Sequence, residues 1–339
     1  MTPAPQFGLT LPNRGVLFGV ETIEDLIQIG VEAEHTGAFR SLWVGDSLYA
    51  KRRPDSIVLL AALAARTRRI RLAVGCMASF PVRHPALLAS QWASLDLVAG
   101  PDRLILGACI GGRDGGGDWE MENDVFGVTQ GSRVGRLEEG VEILRRLFTE
   151  DEVSHHGKYY QFERARLEPR PVTRPHPAIW IVSNPRPANG DQANFERAMR
   201  RIARLGDGWM TTNFPPKEFR RRWELIQGAL EEASRDPRDF DNSLYYNVNI
   251  NADREAAAAE SARFLEAYYG RPFSRQQVDE WVAYGSPQEV IDKIGQYVEA
   301  GAKEITLRPT AWNQREQLAR LVGEVIPAFA PAQAKGVSA

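Results

Sequence analysis

The chain has 339 residues, 43% of them hydrophobic and 25% charged, with 42 Lys+Arg against 44 Asp+Glu for a formal net charge of −2. This is ordinary globular composition with ample material for a large core, and it excludes long disordered, collagen-like and coiled-coil chains. The basic residues are nearly all arginines spread along the chain, so no nucleic-acid footprint is present and a nucleic-acid partner is not expected.

Short apolar runs alternate with longer amphipathic ones. Phe7 to Leu11 reads as a strand, and Thr22 to Thr36 as a helix with Ile23, Leu26, Ile27 and Val31 on one face. Thr22 and Asp25 supply a cap and a first-turn acid, and Gly37 a C-terminal stop. Ser41 to Val44 is a second strand ending at Asp46; Ser56 to Arg66 is helical, Ile70 to Val74 is a strand, and Pro85 to Val98 is a helix with proline in its first turn. Arg103 to Leu106 opens a fourth strand, and Arg133 to Phe148 is a strongly amphipathic helix. Ala178 to Val182, Gly208 to Thr211, Leu244 to Ile250 and Glu304 to Leu307 read as strands five to eight, with helices at about 192–205, 216–233, 254–268, 287–300 and 313–326. Strands repeating with helical spacers imply parallel units, and eight of each point to a (β/α)8 TIM barrel occupying residues 1–339 as one domain. A doubly wound open sheet is the alternative, because periodicity cannot count closure.

Three stretches exceed a minimal barrel: about 111–130, glycine-rich and acidic; 152–177, a hairpin with a proline-rich return; and 269–285, which interrupts the seventh unit. Insertions after barrel strands lie on the C-terminal face and shape the site there, so the first and third are lid candidates. They carry Trp119, Met121, Phe126, Tyr268 and Phe273, which suits an apolar or aromatic substrate.

Residues just past each strand line that face. They include Asp46-Ser47, Gly75-Cys76-Met77, Cys109-Ile110-Gly111, Ser183-Asn184, Thr211-Thr212 and Arg308-Pro309-Thr310. The set is mostly small, neutral and hydrogen-bonding, with few charges. It lacks the converging His and carboxylates of a metallohydrolase and the paired carboxylates of a glycosidase, and no metal is expected. A neutral, partly apolar floor suits a flat ring system. Asp46 serves the site, or caps a helix or pairs with an Arg; Cys76 and Cys109 contact a cofactor or merely pack. His84, at the start of a helix in Arg83-His84-Pro85, is either the catalytic residue or a structural one. The two cysteines are too few for a disulfide framework. No Walker A or Gly-x-Gly-x-x-Gly motif is present, whereas Thr211-Thr212 before a helix offers hydroxyls and helix-start amides to a phosphate. The N-terminus shows no basic segment followed by an apolar one, and the longest apolar run, Ile57 to Ala65, is far too short for a bilayer. A cytoplasmic protein without membrane contact is the expectation.

Several segments together resemble the bacterial luciferase-like superfamily of flavin- and deazaflavin-dependent oxidoreductases. They are Ser41-Leu42-Trp43-Val44-Gly45-Asp46-Ser47, Ile70-Arg71-Leu72-Ala73-Val74-Gly75, Arg83-His84-Pro85, Leu104-Ile105-Leu106-Gly107, Pro177-Ala178-Ile179-Trp180-Ile181, Asp207-Gly208-Trp209 and Gly285-Ser286-Pro287-Gln288-Glu289-Val290. The resemblance runs from about residue 6 to 328. It implies a barrel that binds reduced FMN or coenzyme F420 at its strand ends, with Asp46 and Ser47 near the ring. Gly75-Cys76-Met77 would form a bulge behind the ring, often through a non-proline cis peptide, and Ser183, Asn184, Thr211 and Thr212 would serve the ribityl and phosphate region. The F420-dependent sugar-phosphate dehydrogenases of this superfamily carry a catalytic His where Ser47 stands and a Glu near Ile110-Gly111-Gly112. This departure inclines the reading to an FMNH2-dependent monooxygenase acting with O2 on a small apolar organic substrate, supplied by a flavin reductase. The alternatives are F420-dependent hydride transfer and, from another class, a non-catalytic flavin-binding barrel. The resemblance also implies a homo-dimer or homo-tetramer.

Overall fold

The computed structural model describes residues 4–112, 116–185, 192–212 and 214–330. Strands β1 (Gln6–Thr10), β2 (Ser41–Asp46) and β3 (Arg71–Met77) alternate with helices α1 (Ile23–Thr36), α2 (Ser56–Arg66) and α3 (Pro85–Ala99). β4 (Leu104–Ala108) is followed by α4 (Trp119–Val125), α5 (Arg133–Thr149) and an antiparallel pair, β5 (Val153–His156) and β6 (Gln161–Ala165). Then come β7 (Ala178–Val182), α6 (Gln192–Leu205), β8 (Gly208–Thr212), α7 (Pro216–Glu232), β9 (Asp241–Ile250) and α8 (Arg254–Tyr269). α9 (Arg275–Trp281), β10 (Val282–Gly285), α10 (Pro287–Glu299), β11 (Glu304–Pro309) and α11 (Gln314–Arg320) complete the order.

The parallel ladder runs β1-β2-β3-β4-β7-β8-β9-β11, and β11 pairs back onto β1, Phe7 opposite Ile305. The eight strands therefore close into a (β/α)8 barrel, and the open-sheet alternative falls. Local signals read from the sequence act as expected at α1. Thr22 and Asp25 form a reciprocal capping box, and Gly37 ends the helix at φ +67°, a conformation open to glycine without a Cβ clash. The periodicity missed the short helices α4 and α9 and the strand β10. The four residues of β10 pair with Asn247–Ile250 of β9, beyond the point where β8 stops pairing at Tyr245. A four-residue run carries too little pattern to separate it from the loop around it.

Inside the barrel Trp43 and Trp180 pack at 5.5 Å between ring centroids, with Ala73, Ile105 and Met210 around them. This layer floors the cavity above it. A Cβ on Gly75 would lie 2.6 Å from the Trp43 ring, so the strand end can approach the indole only as glycine. Beneath the floor, the buried Glu304 accepts from Ser41 Oγ at 2.8 Å and from Trp43 Nε1 and Thr306 Oγ1 at 3.2 Å. Burial pushes its carboxyl pKa up. The folded state thus holds this proton better than the unfolded chain, so the associated stability is present in acid and wanes as pH rises through the folded pKa. Glu304→Gln should remove that loss: thermal melts across pH should show the variant gaining on the parent as pH rises. A variant less stable by the same margin at every pH would refute this.

Candidate active site

The C-terminal strand ends surround a cavity of about 440 Å³. Asp46, the last residue of β2, is wholly engaged at its rim. Its Oδ1 accepts from Ser56 Oγ at 2.8 Å and Arg83 Nη2 at 3.3 Å, and its Oδ2 accepts from Ser79 N–H at 3.0 Å and Ser79 Oγ at 2.6 Å. Arg83 is held in turn by Asp55 at 2.8 Å. One carboxylate thereby ties the end of β2 to the start of α2 and to the turn after β3. Of the three roles open to Asp46 in the sequence, it lines the cavity and pairs with Arg83, while the cap of α2 is Asp55.

The loop after β2 is shaped from a distance. Glu122 of α4 is fully buried, and its Oε2 accepts from Ser47 Oγ (3.3 Å) and from the backbone N–H groups of Leu48, Tyr49 and Ala50 (3.2, 2.9 and 3.0 Å). Its Oε1 lies 3.8 Å from Arg133, also fully buried, which donates to the carbonyls of Ile110 (2.6 Å) and Ala78 (2.8 Å) and to Asn123 Oδ1 (2.5 Å). The stretch after β4 is thus locked onto the loops after β2 and β3. Gly111, Gly112 and Trp119 from that stretch reach the cavity wall; residues 113–115 lie outside the described part.

Behind the wall the Gly75–Cys76 peptide is cis, and the β3 ladder shifts register between Val74 and Met77. This matches the bulge that the family resemblance implied. Cys76 faces the cavity and packs against the cluster that holds the buried Cys109. The contact lowers the Cys76 thiol pKa and, with burial, raises that of Cys109.

The opposite wall is aromatic and cationic. Tyr245, Tyr268, Tyr269 and Trp281 line it with Lys51, Arg53, Arg271 and Arg308. Lys51 lies 5.0 Å from the Tyr269 ring centroid; burial, then the charges of Arg53 and Arg14, push its pKa down to about 8. The strand ends carry few charges, as expected, but the cavity gains more from elsewhere. Lys51, Arg53 and Arg271 come from loops, and only Arg308 stands at a strand end, where its single letter does not show which way the side chain turns.

Of the residues singled out from the sequence, Asp46, Cys76, Asn184, Thr211 and Thr212 line the cavity. Four others do not. Ser47 turns to Glu122 and accepts from the Lys51 N–H at 2.8 Å. Met77 is fully buried in the apolar core. Ser183 spends its backbone on Met210 and on Trp209 Nε1. His84 caps α3, its Nδ1 accepting from Ala86 N–H at 3.2 Å, with its ring against Tyr160 and Phe162 of the hairpin. His84 therefore stands outside the cavity lining, in the helix-start place read from the sequence. Thr211 and Thr212 do not begin a helix, since α7 starts at Pro216 after Pro215. Thr212 Oγ1 accepts from Trp281 Nε1 at 2.7 Å, while Thr211 Oγ1 and Thr10 Oγ1 are buried without a partner. The residues missed were Thr10, Lys51, Arg53, Glu122, Arg133, Tyr245, Arg271 and Trp281. No motif marks them, and the one available signal was aromatic clustering in the third insertion.

No helix in the described residues is long and apolar enough to cross a membrane. The family model described as luciferase-like monooxygenase matches residues 3–304. An F420-dependent glucose-6-phosphate dehydrogenase of Nakamurella multipartita is 26% identical, over 96% of this chain and 97% of that protein. Two solved structures share the fold. An F420-dependent secondary alcohol dehydrogenase in complex with an F420–acetone adduct has a TM-score of 0.79 at 15% identity, covering 97% of this chain and 100% of that one. A monooxygenase from Streptomyces bottropensis has a TM-score of 0.77 at 24% identity, covering 96% and 100%.

Proposed function

The chain belongs to the luciferase-like monooxygenase family, and from that premise we propose that it is an oxidoreductase using coenzyme F420 for hydride transfer to or from a small organic substrate. The observation that carries the reading is the near full-length likeness to an F420-dependent dehydrogenase. It displaces FMNH2-dependent oxygenation as the first choice.

The cavity fits such a cofactor on its own terms. Thr10 Oγ1 and Thr211 Oγ1 are buried hydrogen-bonding groups left without partners at the wall, and unpaired buried polar atoms mark where a ligand completes the network. The half-buried Arg53 and Arg271 and the exposed Asn184 line the cavity and suit the anionic tail of a deazaflavin phosphodiester. When bound, F420 would supply a two-electron hydride donor or acceptor. The Gly75–Cys76 bulge and Val182 would support its ring, and Asp46 would hold the bulge by gripping Ser79. Lys51, with its pKa near 8, is the wall group suited to exchange a proton with substrate close to neutral pH.

The FMNH2 and O2 reading retains one supporting observation: no histidine lies among the described residues lining the cavity. A dry pocket that chiefly excludes water needs none. Exposed Val58 of α2 and Leu87, Leu97 and Val98 of α3 support a homo-oligomer in either case.

Titration of the purified protein with F420 and with FMN, oxidised and reduced, tests the reading. Saturable F420 binding with FMN at least about tenfold weaker, about 1.4 kcal/mol, is expected. Tighter FMNH2 binding followed by oxygen consumption would replace it with the monooxygenase reading.

A further inference from the structure

We propose that the Arg308 end of the cavity is a recognition subsite for a carboxylate carried on a planar aromatic body, the anionic group of the substrate itself. This deepens the oxidoreductase reading and rests on it.

Arg308 stands near the end of β11, 1% exposed, and its side chain forms part of the cavity wall. Its Nε and Nη2 have no hydrogen-bond partner, and among the described residues no carboxylate forms an ion pair with it. What surrounds the guanidinium is aromatic: the Tyr268 ring centroid lies at 3.7 Å, Phe264 and Tyr269 at 5.4 Å, and Tyr245 at 5.8 Å. Guanidinium remains protonated at any working pH. A buried charge is costly unless paired, and ring faces offset only part of that cost.

Two further cations contact Tyr268. Arg53 lies 5.7 Å from the same Tyr268 ring, and Arg14 donates to the Tyr268 carbonyl. Burial, followed by the charge of Arg53, lowers the Arg14 pKa, as expected where cations gather. The Nε and Nη2 donors left without an acceptor are the complement of a planar oxyanion. The rest of the wall sets the body of the ligand. Tyr269 and Trp281 pack on each other at 5.2 Å, and Tyr245 lies 5.8 Å from the Arg308 guanidinium, so a flat ring finds aromatic faces to lie against. The two open donors, Nε and Nη2, match the two oxygens of a carboxylate. A cofactor phosphate has the more open cations, Arg53 and Arg271, available instead.

The probes are benzoate, phenyl phosphate and the neutral benzyl alcohol, followed by tryptophan fluorescence because Trp119 and Trp281 line the cavity, with and without saturating F420. Benzoate should bind saturably, and benzyl alcohol at least about tenfold more weakly, the loss of one charge-assisted contact. F420 should leave benzoate binding in place. Arg308→Met should abolish the preference for benzoate, and Arg308→Lys should restore part of it. Should Arg308→Met fail to fold, Tyr268→Leu and the three probes on the parent protein still decide the matter. Equal binding of benzoate and benzyl alcohol would overturn the proposal, as would tighter binding of phenyl phosphate. Competition between F420 and benzoate would assign the anion site to the cofactor and overturn it too. Arg308-dependent benzoate binding in a protein that ignores F420 would uphold the subsite while sinking the cofactor reading.

Discussion

Glu122→Ala should be among the most damaging single substitutions in the chain, costing about 3–5 kcal/mol of folding stability and abolishing cofactor binding. The carboxylate is fully buried and accepts four hydrogen bonds, three from consecutive backbone N–H groups, Leu48 to Ala50. Its removal leaves those donors without an acceptor at a place where the carboxylate itself was fully buried. It also takes the nearest counter-charge from Arg133, which is buried and spans two backbone carbonyls. Both losses act on the loops that carry Asp46, Lys51 and Cys76, so stability and binding should fall together. Glu122→Gln should be milder, because the amide oxygen still accepts while the charge is lost. Urea unfolding with F420 titration on both variants checks this. Retention of parental stability by Glu122→Ala would show that the loops are held by something else.

Asp46→Ala should weaken cofactor binding by about a hundredfold, the scale on which small misplacement of a site is felt, and cost about 2–4 kcal/mol of stability. All of its known hydrogen bonds are structural, to Ser56, Ser79 and Arg83. The stability cost is below that of Glu122→Ala because Arg83 keeps Asp55 at 2.8 Å. If Asp46 only positions the turn after β3, Asp46→Asn should recover most of the affinity, and the pH profile of turnover should keep its shape in both variants. A pH limb that disappears in Asp46→Asn would instead make Asp46 an acid–base group.

Much of the barrel was legible because its signals are local and repeated. Apolar runs with period two or less, helices with a period of 3.6, caps at Thr22 and a stop at Gly37 each require only neighbours in sequence. The family likeness was legible for a related reason: its segments, from Ser41-Leu42-Trp43 to Gly285-Ser286-Pro287, are strand ends and helix starts whose order survives when single residues change. β10 was not legible, because it is too short for a pattern and exists through pairing with β9.

The candidate site divides along the same line. Asp46, Cys76, Asn184, Thr211 and Thr212 were found because they follow strands directly, and strand ends must face the cavity in a barrel. Ser47, Met77 and Ser183 follow strands as well, yet they turn elsewhere: to Glu122, into the core, and into backbone hydrogen bonding. His84 looked chemical by residue type and proved to be a helix cap against the hairpin. The inclination to an FMN monooxygenase rested on the histidine missing at Ser47 and the glutamate missing near Ile110-Gly111-Gly112. In the folded chain Ser47 is tied to Glu122 and is absent from the cavity lining, so that position says less about chemistry than its place in the sequence suggested.

By itself, the sequence determined the order of most strands and helices, the parallel α/β class, the luciferase-like family and part of the strand-end lining. The tertiary structure alone decided closure through Phe7 and Ile305, the lock of Glu122 and Arg133 on the loops, and the cationic, aromatic wall around Arg308. The physical reason is range. Periodicity, capping and turn chemistry act within a few residues and leave a pattern in the chain. A buried charge acquires its meaning from groups that lie dozens to hundreds of residues away in sequence, as Arg308 does from Tyr268, and as Leu48 to Ala50 do from Glu122.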